Sequence, residues 1–214
     1  MAKSEKNEQP KRRQRRPDGE QSRNRILDAA TEIAAERGYE GTSIGAVSAK
    51  CGLPASSIYW HFKDKDDLIA AVIERSFTHW LSVWQLPDDL LGRDRIMEVA
   101  AGTAKAFMDS PDFLRLGLML ALEHRPVEPR ARAMFVRVRK QALDAVVQSI
   151  PDIMPGLTDD QARQLASYTV AGADGLFIAK EIGGDSVDLL ALFAIHGQAI
   201  YDTALRMTQE NEDR

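Results

Sequence analysis

The chain has 214 residues, of which 44% are hydrophobic and 28% charged, and this is enough apolar material for one or two packed domains. No apolar run reaches the roughly 18 residues of a membrane-spanning helix. The first residues lack the apolar stretch of a secretory signal, and one cysteine cannot form an internal disulfide. These features exclude a membrane protein, a disulfide scaffold and a collagen-like chain, so we expect a soluble, cytoplasmic, globular protein.

The formal net charge of −4 hides an uneven distribution. Residues 1–25 hold nine Lys or Arg against four acids, whereas the rest of the chain is acidic. Residues 1–20 show no apolar periodicity and are predicted to form a disordered basic arm. Its most basic part contains Arg12, Arg13, Arg15 and Arg16. A polyanionic partner met at one end of the protein is one interpretation, and a solvated tail is the other.

Apolar residues recur at helical spacing from Arg23 onwards, and Gly38 is the predicted end of the first helix. Eight further helices are predicted between Gly, Pro and capping residues. They span 43–51, 55–60, Asp64 to Pro87, 88–109, 112–124, 128–149, 158–182 and 187–208. No strand-like alternation and no internal repeat is visible in the sequence. The predicted fold class is therefore all-α, with nine helices.

The two short helices at 43–51 and 55–60 have the spacing of a helix-turn-helix, with Gly52 in the turn. In that motif the second helix lies in the DNA major groove, with its first residues against base edges. Here those residues are Ala55, Ser56 and Ser57, which are small and offer hydroxyl groups to bases or phosphate. The pattern therefore predicts a DNA-reading helix.

Residues 24–68 resemble the DNA-binding domain of TetR-family transcriptional regulators. The segments 37–44 and 51–68 carry the likeness, and its most specific part is the Tyr-x-His-Phe-x-x-Lys pattern at 59–65. The resemblance implies a nine-helix regulator with a helix-turn-helix domain at 21–67. A larger helical domain for ligand binding and dimerisation would follow at 68–210.

The resemblance also implies which residues meet double-stranded DNA. They are Thr42, Ser43, Ala55, Ser56, Ser57, Tyr59, Trp60, His61, Lys63 and Lys65. Ser56 and Ser57 would face bases, Trp60 would lie near base methyls or sugar, and most others would meet phosphate. A half-buried, purely structural Tyr59 is the alternative for that position.

The chain departs from the family pattern at the start of the recognition helix. Pro54 stands where many members have a capping Ser, and Ser56 stands where many have Gly. The first change removes a hydroxyl cap, and the second bears on which bases are read. Family members with basic arms lay them along the minor groove, so the four arginines of the arm are expected there.

The last two predicted helices have the composition of a subunit interface. The helix at 158–182 is rich in small residues, and the helix at 187–208 is apolar over so wide a face that it needs two neighbours. The resemblance implies a homodimer built on a four-helix bundle. The predicted interface residues are Ala171, Gly172, Gly175, Leu190, Phe193, Gly197, Ile200 and Leu205. Such a dimer would place two recognition helices roughly 34 Å apart and read a palindromic operator.

Aromatic and Met side chains in the middle helices suit a hydrophobic effector. The candidates are Trp80, Trp84, Met97, Phe107, Met108, Phe113, Met119, Phe135 and Phe177, with Glu123 and Asp174 as polar groups. Each of the apolar candidates is equally compatible with plain core packing, and Glu123 with His124 is compatible with a helix cap.

The sequence contains no metal-ligand spacing, no Gly-rich phosphate loop and no nucleophile motif, so we expect no catalytic residues, metal or cofactor. The leading hypothesis is a dimeric repressor that a small hydrophobic or amphipathic effector releases from its operator. One alternative is a DNA-binding regulator without a small-molecule effector, and another is an activator. The remaining alternative is an all-α protein that does not use residues 43–65 on DNA.

Overall fold

The computed structural model describes residues 17–82, 90–123 and 129–213, with the backbone alone at 17, 18, 79, 81 and 82. These residues form nine α-helices and no strand, which confirms the predicted all-α class. The helices are α1 (Pro17–Gly41), α2 (Ile44–Cys51), α3 (Ala55–His61), α4 (Lys65–Ser82), α5 (Gly92–Asp109), α6 (Pro111–Leu122), α7 (Arg130–Ile153), α8 (Asp159–Gly183) and α9 (Leu189–Glu212). Among the described helices, none is long and apolar enough to cross a bilayer.

The first helix begins at Pro17 rather than at Arg23, so residues 17–20 are helical and not part of the arm. Proline suits the first helical position, because its φ is already helical and the N–H that it lacks would have no partner there. The acidic Glu20 adds charge that favours the positive end of the helix. The helix kinks at Gly38 (φ 67°), where the sequence predicts its end, and one more turn reaches Gly41. The arm arginines 12, 13, 15 and 16 lie outside the described residues.

Helices α1, α2 and α3 enclose a small core of their own. Its fully buried members are Ile26, Leu27, Ala30, Val47, Ile58 and Leu68. Leu68 belongs to α4, so the predicted domain boundary at 67/68 falls inside that helix. On the other side of α4, Ile69, Ile73 and Phe77 pack into the main core of the helical body. Helix α4 is thus shared by both cores and fixes one relative to the other.

The helical body consists of α4 to α9. Helix α5 lies along α9, α4 lies along α7, and α8 packs against both α7 and α9. Helix α7 continues to Ile153, past Pro151 and four residues beyond its predicted end. The proline removes one backbone donor, but the buried residues Ile150 and Met154 hold the last turn, and the N–H of Met154 donates to the carbonyl of Ile150 (2.7 Å).

Gly117 of α6 is required by close packing against α7. A Cβ at this position would lie 2.0 Å from Cε2 of Phe135. We expect Gly117→Ala to lower the free energy of unfolding by about 1–3 kcal/mol, measured by urea denaturation. In the control Gly45→Ala, the new methyl meets only Oγ of Ser43 at 4.0 Å, and better helix propensity should leave stability unchanged or raised by up to about 1 kcal/mol. Equal effects of the two substitutions would contradict this packing.

Candidate DNA-binding face, domain junction and ligand cavity

The recognition helix α3 buries one side and exposes two large aromatic side chains on the other. Ile58 is fully buried, whereas Tyr59 is 57% and Trp60 76% exposed. Two adjacent exposed aromatic side chains make this side of the helix a candidate binding surface. The exposure of Tyr59 disfavours its half-buried alternative. At the start of the helix, the hydroxyls of Ser56 and Ser57 form no hydrogen bond with any described residue, so both can serve a ligand.

The turn before α3 is held without a side-chain cap. Pro54 occupies the capping position, and its carbonyl accepts the backbone N–H of Ser57 (2.9 Å). Oγ of Ser48 donates to the carbonyl of Leu53 (2.7 Å), and Arg25 of α1 donates to the carbonyl of Cys51 (2.7 Å). These hydrogen bonds hold the start of the recognition helix, where Pro54 provides no hydroxyl cap.

The two hydroxyls before α2 differ in their surroundings. Ser43 is exposed and caps α2 by accepting the N–H of Ala46 (3.1 Å). Thr42 is only 1% exposed, and its hydroxyl donates to the carbonyl of Gly38 (2.9 Å). The backbone N–H of Thr42 donates to the carbonyl of Tyr39 (3.3 Å). The hydroxyl and the N–H through which Thr42 was expected to meet phosphate are therefore both bonded within the protein in this conformation, and its phosphate contact stays a prediction.

The cationic residues after α3 are not equivalent. Nζ of Lys65 lies 4.2 Å from the centroid of the Tyr39 ring and donates to the Tyr39 carbonyl (3.2 Å) and the Glu40 carboxylate (3.4 Å). Lys63 is exposed, and its backbone N–H donates to Asp67 (3.0 Å). Lys63 is therefore better placed than Lys65 to reach a phosphate.

His61 stands at the end of the recognition helix as a hydrogen-bonding group. Burial, together with the nearby charge of Arg23, lowers the pKa of His61, which favours the neutral ring at pH 7. A neutral imidazole still has one N–H to donate to a phosphate oxygen.

The N-terminus of α1 lies beside the exposed aromatic side chains. A Cβ added at Gly19 would stand 3.8 Å from the indole ring of Trp60. The chain that precedes Pro17 therefore joins the protein on the same face as the recognition helix.

A carboxylate of α4 caps the N-terminus of α7. The backbone N–H groups of Arg130 and Ala131 donate to the two oxygens of Asp66, at 2.6 Å and 3.0 Å. The hydroxyl of Tyr39, near the end of α1, donates to the same carboxylate at 3.2 Å. Asp66 thus caps the positive end of α7 from a distant part of the chain and joins three helices. We call this group, with Asp64, Asp67 and Arg130, the junction.

The Arg130 side chain completes the junction. Its Nη2 donates to both oxygens of Asp64 at 2.6 Å, and its other nitrogens lie 3.5 Å from Asp66 and 3.6 Å from Asp67. The pKa of Asp64 is lowered chiefly by the backbone N–H of Asp67 and further by Arg130. Because this pKa lies below its ordinary value of 3.8, ionised Asp64 stabilises the fold above that pH, and the contribution is lost as the pH falls through the folded-state pKa.

An elongated cavity of about 130 Å³ runs between α5, α7, α8 and α9. On α7 its lining extends from Arg139 to Ile153, four turns of one helix face and roughly 21 Å of helix length. Of the predicted ligand residues, Trp80 and Phe107 line this space. The lining is mostly apolar, as is usual for a small-molecule site.

The other predicted ligand residues lie elsewhere. Phe113, Phe135 and Phe177 are buried in the main core. Met97 packs towards Gly197 between α5 and α9, Met108 and Met119 are exposed, and Glu123 ends α6. Asp174 lies behind the lining, where it bonds Arg139. Trp84 and His124 fall outside the described residues. Helical periodicity identifies an apolar face, but it does not say whether that face meets a void or a neighbouring helix.

Sequence reasoning missed the polar groups of the cavity. They are Arg95, Thr103, Arg139, Ser149, Thr169 and His196. The sequence signal that could have identified them is helical spacing. Arg95 precedes Val99, Thr103 and Phe107 at intervals of four, and an arginine in line with an apolar helix face is a candidate for a ligand contact.

The predicted interface residues divide into two groups. Phe193, Gly197 and Ile200 are buried and line the cavity, so their assignment to a subunit interface is wrong. A Cβ on Gly172 would lie 2.2 Å from Cε1 of His196, so Gly172 serves the internal packing of α8 on α9. Small residues allow close approach by any helix, and here that helix belongs to the same chain.

The remaining interface candidates are exposed on α8 and α9. Ala171, Gly175, Leu190 and Leu205 lie outside the core. Four more large apolar or aromatic side chains are exposed on the same two helices: Tyr168, Ile178, Ile182 and Ile195. So much exposed apolar surface on adjoining helices is typical of an interface.

Comparison with known proteins agrees with this geometry. Residues 26–72 match the family model described as bacterial regulatory proteins, tetR family. The HTH-type transcriptional regulator AcrR of Shigella flexneri is 36% identical over 123 residues, which are 58% of this chain and 50% of that protein. The chain thus spans about half the length of the curated relatives it matches.

Solved structures share most of the described fold. The fatty acid degradation regulator FadR from Bacillus halodurans superposes with a TM-score of 0.70 at 16% identity, over 84% of this chain and 94% of that one. A TerR/AcrR-family transcriptional regulator from Aquifex aeolicus gives 0.67 at 19% identity, over 84% and 97%. Residues 26–72 thus match a DNA-binding domain of the TetR type by sequence, and the described helices have the fold of these solved structures.

The junction makes a stability prediction. We expect Asp66→Ala to lower the free energy of unfolding by about 0.5–2 kcal/mol, because two backbone N–H groups at the start of α7 lose their acceptor. The control is Asp144→Ala, which breaks only the exposed pair with Lys140 and should change stability by less than about 1 kcal/mol. Urea denaturation compares the two variants, and an Asp66 effect no larger than that of Asp144 would contradict the cap.

Proposed function

We propose that this chain is a dimeric transcriptional repressor that binds a palindromic operator and is released from it by a small amphipathic effector. The observation that carries the proposal is the exposed face of α3. Its unengaged serine hydroxyls and exposed aromatic rings lie on the side from which the N-terminal arm departs.

The residues of this face fall into two groups, those that contact bases and those that contact phosphates. Ser56 and Ser57, at the start of α3, meet base edges in the major groove, where a helix N-terminus approaches closest. Tyr59, His61 and Lys63 meet phosphates and fix the register of the helix. The arm, which joins the protein beside Trp60, enters the adjacent minor groove.

The exposed apolar face of α8 and α9 supports dimerisation. A second copy related by a two-fold axis would bury the same face from both sides. Two recognition helices would then meet successive major grooves roughly 34 Å apart.

The route from effector to DNA runs through α7. This helix lines the cavity from Arg139 to Ile153. At its start, the N–H of Arg130 donates to Asp66 of α4. Asp66 is only four residues after Phe62, the residue that follows the recognition helix. A shift of α7 therefore moves the start of α4 and with it the recognition helix. The effector acts only to the extent that it binds the two arrangements with different affinity, typically about 1–3 kcal/mol of coupling.

The cavity favours effector control over a regulator controlled by its abundance alone. A body filled with side chains would have favoured the second function. Repression and activation differ in operator position rather than in protein geometry, and a reporter gene placed behind the selected operator distinguishes them.

DNA binding is tested with a genomic fragment that the purified protein selects, by fluorescence anisotropy at several salt concentrations. We expect Lys63→Ala to weaken specific and random DNA alike and to lower the salt slope by about 1, because one phosphate contact is lost. The control Lys140→Ala, whose exposed ammonium pairs with Asp144 on α7, should bind as the parent does. An unchanged slope in the Lys63 variant would contradict a phosphate contact there.

Ser57→Ala should behave differently, because it removes a base contact. We expect a change of preference at one base pair in each half-site, and little effect on random DNA. Competition between single-base variants of the selected fragment measures this. An equal loss on specific and random DNA would contradict base reading by Ser57.

Dimerisation is tested by placing a charge on the exposed face of α9. Ile195 is 67% exposed, and we expect Ile195→Glu to shift the protein towards monomer in sedimentation velocity, because the dimer would bury an unpaired carboxylate. Val136→Glu, on the exposed side of α7, is the matched control and should not change the oligomeric state. A dimer that survives Ile195→Glu unchanged would place the interface elsewhere.

A further inference from the structure

The hydroxyl and imidazole groups that line the cavity already form hydrogen bonds within the protein. The hydroxyls of Thr103, Thr169 and Ser149 donate to carbonyls of their own helices at 2.8, 2.8 and 2.9 Å. Nε2 of His196 donates to the carbonyl of Thr169 at 3.0 Å. These bonds leave few side-chain donors in the cavity for a ligand.

One of the two arginines that line the cavity already forms an ion pair within the protein. A guanidinium nitrogen of Arg139 donates to Asp174, which joins α7 to α8. Burial raises the pKa of Asp174, and Arg139 opposes that rise. While Asp174 is ionised, the pair is electrically neutral and is a weak attractor for a charged ligand.

Arg95 is the second arginine that lines the cavity. It lies in the first turn of α5, where its Nη1 is 3.5 Å from the carbonyl of Leu90, the outer limit of a hydrogen bond. It forms no ion pair with any residue in the described ranges. Arg95 is half-buried, and a guanidinium beside a mostly apolar space offers its planar donors to an anionic group that enters that space.

The shape of the cavity adds a second requirement. Its lining on α5 runs from Arg95 to Phe107, roughly 18 Å of helix, and Trp80 and Phe193 lie near the Phe107 end. The lining along this length is mostly apolar, so an extended apolar group can contact it over the whole distance.

We propose, building on the effector role in the proposed function, that this cavity binds an amphiphile with a single carboxylate and an unbranched apolar chain. The carboxylate pairs with the guanidinium of Arg95, whose planar donors match its two oxygens. The chain extends along α5 and α7 towards Phe107 and Trp80. A fully apolar or cationic ligand leaves the Arg95 charge unpaired and binds more weakly.

The test is isothermal titration of the full, delipidated chain with decanoate, decanol and decyltrimethylammonium, which share one chain and differ in head group. We expect decanoate to bind about tenfold or more tighter than decanol, the difference that one charge-assisted contact supplies. Equal affinity for decanoate and decanol, preference for the cationic compound, or no binding of any of the three overturns the proposal.

Variants locate the head group. Arg95→Gln should reduce decanoate affinity to that of decanol, while Arg95→Lys keeps most of the preference. The matched control is Arg93→Gln, two residues away, where the guanidinium bonds Gln198 on the surface and decanoate binding should not change. Thermal melting confirms that each variant is folded. Parental decanoate affinity in Arg95→Gln, or an equal loss in Arg93→Gln, overturns the assignment to Arg95.

A parallel titration of operator-bound protein separates this inference from the proposed function. Decanoate binding through Arg95 without any change in operator affinity supports the ligand class and contradicts effector release. Operator binding by a protein that binds no decanoate supports DNA reading and overturns the ligand class.

Discussion

The cap that Asp66 places on the start of α7 is the contact on which the arrangement of this molecule depends. A helix of this length presents several N–H groups without partners at its N-terminus. Here two of them are satisfied by a carboxylate that stands on α4, close behind the recognition helix. The same carboxylate accepts the Tyr39 hydroxyl from α1. The position of the DNA-binding domain is therefore set by the helix that also lines the cavity.

In this arrangement α7 makes different contacts along its length. Its first turn bonds the DNA-binding domain, and its second half, from Arg139 onwards, borders the cavity. Packed helices shift between discrete arrangements rather than deform continuously. A ligand that moves α7 against α5 and α9 therefore acts directly on the junction. The ion pair of Arg139 with Asp174 restrains α7 against α8. On α5, Arg95 has no ion pair with any described residue, so this is the side on which we propose that a ligand adds a contact.

Sequence reasoning predicted features that depend on a few consecutive residues and missed those that depend on contacts between distant parts of the chain. Helix spacing, Gly52 in the turn and the pattern at 59–65 specify the helix-turn-helix, because each of these acts within a few residues. The same reasoning assigned Phe193 and Gly197 to a subunit interface and Phe113 to a ligand site, because an apolar face looks alike whether it meets a cavity, a core or another chain. Thr42 is buried with its hydroxyl bonded to the carbonyl of Gly38, a contact that helical periodicity does not reveal. The cap on α7 joins residues 64 positions apart, and no local pattern predicts it.

The most direct test of the account is a footprint of the ligand-free protein on genomic fragments that it selects. The account predicts a protected palindrome whose half-sites are centred about one DNA turn, roughly 34 Å, apart, with two protomers bound. It also predicts added protection in the minor groove beside each half-site, where the arm lies. A single unpaired half-site, or no enriched sequence at low salt, would contradict the dimeric reader.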